Sequence, residues 1–117
     1  MLYKIGTLAE LKTTEWTFPE CVATELTRDL AILDCEYGED RDVCEEGGYA
    51  VVIEEGKDLA ELKKVIDFTR HPCEWATRLG KDTGWAVILF LLTNDCSIMV
   101  FMPVDVMPDV LLKDLED

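Results

Sequence analysis

The amino-acid sequence predicts a single α+β domain: a mainly antiparallel sheet of four to five strands, two longer helices on one face, and a short C-terminal helix. Three observations carry that expectation. Residues 85–92 form an unbroken apolar run, which as a strand has two apolar faces and needs cover on both. Ala23, Leu26, Leu30, Leu33 and Tyr37 recur at steps of three and four, the stripe of one long amphipathic helix. And 117 residues that are 49% apolar, with mean hydropathy +0.06 and no repeat or linker, suffice for one core.

Residues 2–5 read as a short strand and 10–15 as a polar stretch. Thr17 and Glu20 have capping-box spacing, with Pro19 in the first turn, so the long helix is expected from Thr17 to Tyr37 and Gly38 is placed to end it. Residues 39–48 form an acidic segment ending in Gly47-Gly48, a loop before the buried strand 49–53. Asp58 and Glu61 suggest a second capping box, opening a helix with Leu59, Leu62, Val65 or Ile66, and Thr69 inward and His71-Pro72 closing it. Residues 73–79 fit either a strand or a helical turn, and 80–84 a loop. The apolar run 85–92 then pairs with 97–102 in a hairpin whose tip lies near Asn94-Asp95. Residues 108–115 suit a terminal helix with Val110, Leu111 and Leu115 inward.

The doubly apolar strand imposes the sharpest requirement. With both long helices on one face, the other face needs a cover from segment 12–16 or from a second copy of the chain. Leaving four such side chains in water forgoes roughly 6–12 kcal/mol, comparable with the stability of a whole domain. A homodimer is one expected solution.

Charge narrows the function. The chain has 25 acidic and 11 basic residues, a formal charge of −14. Residues 1–56 hold 14 acidic and 4 basic side chains, a net of −10. That sign opposes direct nucleic-acid binding and anionic membranes. No apolar run reaches the length of a membrane span. Five irregularly spaced cysteines and a start without a signal-peptide run point to free thiols in a reducing cytoplasm.

Candidate chemistry is sparse. Asp34, Glu36, Asp40, Asp42 and Glu45 fall at positions 1, 3, 7, 9 and 12 of a twelve-residue loop, but Glu39 stands where an EF-hand needs glycine and Gly38 supplies no side-chain oxygen, so no calcium site is expected. His71 and Cys73 lack the neighbours of a zinc site or an activated thiolate. No nucleotide-binding or hydrolase motif occurs, and no carboxylate has an apolar setting that signals acid–base work. No cofactor is expected. Trp16, Trp75 and Trp85 read as core or interface.

The expected role is non-enzymatic binding of a protein partner, a basic one by charge, through the surface carried by Glu36, Tyr37, Glu39, Asp40, Arg41, Asp42, Glu45 and Glu46. A DNA-mimicking inhibitor is the alternative, suggested by Glu20, Glu25, Asp29, Asp34 and Glu36 along one helix; an enzyme with an unrecognised site is the third class.

Overall fold

The computed structural model describes residues 2–6, 8–13, 15–37, 49–66, 73–80, 82–91, 97–113 and 115–116. Six strands, β1 (Leu2–Ile5), β2 (Tyr49–Ile53), β3 (Cys73–Arg78), β4 (Trp85–Leu91), β5 (Ser97–Pro103) and β6 (Leu115–Glu116), form one sheet in the order β1-β2-β5-β4-β3-β6. Among the described residues four α-helices accompany it: α1 (Leu8–Thr13), α2 (Glu20–Tyr37), α3 (Leu59–Val65) and α4 (Asp109–Leu112). The class is α+β and the sheet mostly antiparallel, with β2–β5 and β3–β6 as the parallel pairings. Among the described residues no helix is long and apolar enough to cross a membrane.

The apolar run occupies the interior of the sheet, as its composition requires. β4 pairs along its whole length with β5, from Trp85 opposite Pro103 to Leu91 opposite Ser97. Alternate residues then serve two separate cores. Ala86, Ile88 and Phe90 join Val51, Ile53, Ile98, Val100 and Met102 beneath Leu62, Ile66, Met107 and Leu111. Trp85 and Val87 join Tyr3, Ile5, Ala50, Val52 and Phe101 beneath Leu11, Phe18, Val22, Leu26 and Leu30.

The two longer helices therefore cover opposite faces, which corrects the expectation of both on one. α2 returns from the β1 edge to β2 over one face, and α3 lies in the crossover from β2 to β3 over the other. The second cover, expected from segment 12–16 or from a second copy, comes from α3 and α4 of the same chain.

Local signals are relocated more often than lost. The expected capping box at Thr17 and Glu20 does not form: Thr17 Oγ1 donates to the Glu54 carboxylate at 2.9 Å. The helix begins after Pro19, whose carbonyl accepts from Val22 and Ala23 N–H. This shift lets Phe18 bury against Tyr3, edge to face at 5.3 Å, with Trp16 stacked on it at 4.6 Å. Asp58 also changes role. It is buried and accepts from the Glu54 and Glu55 N–H groups, so it closes a turn over residues 56–58 before α3 instead of opening α3 with Glu61.

Segment 10–15 partly folds as α1, which buries Leu11. Residues 73–78 resolve as a strand, with a bulge between Cys73 and Trp75. The terminal helix is shorter than expected: Leu111 is buried, Val110 is exposed, and Leu115 belongs to β6, beside Ala76. The segments 39–48 and 92–96, with His71-Pro72, lie outside the described residues.

Two pairs of substitutions test this arrangement. Ile88→Ala should cost about 2–5 kcal/mol by urea unfolding, because its site is sealed. Leu89→Ala, at a half-buried position one residue on, should cost less than half as much. Thr17→Ala should cost about 1 kcal/mol by the same measurement, the value of a lost hydrogen bond, whereas Glu20→Gln should leave stability nearly unchanged.

Candidate interaction surface

The acidic segment expected to carry function is bracketed by the end of α2 and the start of β2. Glu36 and Tyr37 belong to the last turn of α2, while Glu39, Asp40, Arg41, Asp42, Glu45 and Glu46 lie outside the described residues. His71 lies outside them too, and Cys73 begins β3, half-buried against the α3-side core. Cys21 packs against the α2-side core, so Cys21 and Cys73 are separated by the sheet. Among the described residues no group of His, Cys, Asp and Glu is placed to hold a metal ion.

The three tryptophans divide between core and surface. Trp85 is buried, Trp16 lies over Phe18, and Trp75 is 38% exposed on the sheet. Backbone pairing explains what lies beside Trp75. It sits opposite Leu89, which sits opposite Met99, and period-two alternation places all three on the α2 face. Leu89 and Met99 are half-buried, so the row is an apolar strip that α2 covers incompletely. Among the described residues β6 pairs with Ala76 and Thr77. Glu74, the bulge residue, is exposed next to it.

A second feature lies on α2 itself. Glu25 and Asp29 are one turn apart on the flank of the Val22-Leu26-Leu30 stripe, with side chains 22% and 19% exposed. Arg28 Nη2 donates to Glu25 Oε1, and its Nε lies 4.0 Å from Asp29 Oδ1. Asp29 is pushed up to about 6, first by burial and then by the negative charge of Glu25; Arg28 opposes both, and a hydrogen bond with Glu25 adds to the rise. Arg28, largely exposed, is the cation that contacts both acids. Glu20 is exposed, so the described acids of α2 do not share one environment.

Asp58 behaves oppositely. Burial, the largest influence, pushes its carboxyl up, but the hydrogen bonds its carboxylate receives, including those from Glu55 and Glu54 N–H, hold it below the usual range. Its role is to fasten the turn before α3.

The expectation that no carboxylate has an apolar setting is thus corrected at Asp29 and Asp58. For Asp29 the signal was present, since Glu25 and Asp29 flank Leu26 and Leu30 at a spacing of four. For Asp58 it was not, because the burying groups come from other elements.

The Asp29 shift fixes the sign of a pH effect. The folded state holds this proton more tightly than the unfolded chain, so the associated stability is present below the ordinary carboxyl range and is lost as pH rises through about 6. Asp29→Asn should therefore raise stability at pH 7.5, by about 1–2 kcal/mol once remaining solvent access is allowed for. Melting curves of parent and variant should converge as pH falls from 7 toward 4. Equal stability of the two at pH 7.5 would contradict this.

Comparison of the chain with protein-family models, curated protein sequences and solved structures gave no match, so its function is argued from its own chemistry.

Proposed function

We propose that this protein acts without catalysis, by binding another protein that presents a basic surface. The observation that carries the reading is a formal charge of −14 on 117 residues, with most of it in the half of the chain that includes α2 and the acidic segment 36–46. A field of that sign speeds encounter with basic partners and repels nucleic acids and anionic lipid. The apolar strip at Trp75 supports the same reading, because charge steers encounter while buried aromatic area holds a complex together. The free thiol at Cys21 fits a reducing compartment such as the cytoplasm. A homodimer is not part of this proposal, since the sheet's second cover is supplied within the chain.

The test is capture from native lysate on the immobilised protein, followed by association kinetics with what is captured. The partner should be basic, and its association rate should fall at least about tenfold between roughly 50 and 500 mM salt. A rate independent of ionic strength, or capture of acidic proteins alone, would remove the reading.

A further inference from the structure

Of the exposed large apolar side chains among the described residues, Trp75, Val110 and Leu112, only Trp75 stands on the sheet, and it continues into Leu89 and Met99. What surrounds the strip follows from chain direction and hand. Thr17 binds Glu54 just past the end of β2, and α2 then leads back toward Tyr49, so α2 runs antiparallel to β2. Two crossovers between parallel strands, β2 to β3 and β5 to β6, pass over the α3 face in the same sense. Such crossovers are right-handed almost without exception. With that hand and a right-handed α2, the helix flank bearing Glu25 and Asp29 turns toward β4 and β3, and the flank bearing Ala23 and Thr27 turns toward β1. The strip therefore has Glu25 and Asp29 along its α2 side and Glu74 at its β3 end.

We propose that this strip docks a cationic amphipathic segment of the partner protein, its apolar side chains lying on Trp75, Leu89 and Met99 and its Lys or Arg side chains meeting Glu25, Asp29 and Glu74. The proposal rests on the basic-partner reading and locates its contact. Charge complementarity selects the occupant: three carboxylates border the apolar row, and Arg28, which already serves Glu25 and Asp29, is 68% exposed. A second cation here favours the ionised form of Asp29, which burial and the charge of Glu25 oppose. A second copy of this chain, at −14, brings the wrong charge to that border.

The probe is a synthetic fourteen-residue peptide repeating Leu-Lys-Lys-Leu-Leu-Lys-Leu, titrated into the full chain with detection by NMR and calorimetry. Two controls accompany it: the same composition scrambled to destroy the apolar face, and an analogue with Glu for every Lys. Saturable binding should shift the Trp75 indole and Met99 methyl resonances, and the scrambled peptide should bind at least about tenfold more weakly. Trp75→Ala should weaken binding by about tenfold or more, and Trp75→Phe should largely restore it. Glu25→Gln with Asp29→Asn should weaken binding severalfold and flatten its salt dependence. Leu112→Ser, on α4, should change nothing.

If the peptide binds with salt dependence but Trp75→Ala and the double variant leave affinity intact, this site is wrong and the basic-partner reading stands. If neither cationic peptide binds, or the Glu analogue binds better, both fall. Concentration-dependent dimerisation abolished by Trp75→Ala would assign the strip to a second copy and overturn the proposal.

Discussion

β4 and β5 are apolar on both faces, and water must be kept from both faces at once. No other feature constrains the molecule as strongly, because each fully buried side chain of this type is worth about 1.5–3 kcal/mol and the two strands carry many of them. Helices on a single face fail that requirement. The chain meets it by dividing its helices: α1 and α2 cover Val87 and Phe101 on one face, while α3, α4 and the turn before α4 seal the face carrying Ile88, Phe90, Val100 and Met102.

The sheet order follows from the same need. A strand with two apolar faces gains most in the interior, so β4 and β5 lie at the centre and the shorter β1 and β6 take the edges. The connections from β2 to β3 and from β5 to β6 then have to cross over the sheet, and each brings a helix to the α3 face. The α2 face receives one long helix from the β1 side, and the β3 side of that face is covered less completely. Trp75, Leu89 and Met99 lie there. The exposed strip and the sealed core thus have one origin: the elements available to cover the two faces are unequal in length and enter from different edges.

Electrostatics is layered onto this frame. Among the described residues most carboxylates are exposed to water, where they cost little and set the long-range field. Asp58 and Asp29 show what burial does to the others. Asp58 is drawn inside because backbone N–H groups need an acceptor at the turn before α3, and its charge is satisfied by them. Asp29 is half-covered beside Glu25 with only Arg28 to offset the pair, so it resists ionisation instead. Burial acts in the same direction on both groups, and the hydrogen bonds decide the outcome.

The period of apolar residues was enough to locate β2, β4, β5 and α2, because each buries a face repeating at two or near four residues and that repeat is written locally. It also placed the negative charge and required a doubly covered strand. Features with distant partners were decided only by tertiary packing. Thr17 lies at capping distance from Glu20 but bonds Glu54, 37 positions away. The two residues of β6 carry no pattern and are strand only because Ala76 and Thr77 lie alongside. β3 was ambiguous because the bulge at Glu74 breaks its alternation. Which face each helix covers depends on the path the connections take, and two faces that are equally greasy attract a helix equally; hydrophobicity along a strand records that cover is needed but carries no label for its source.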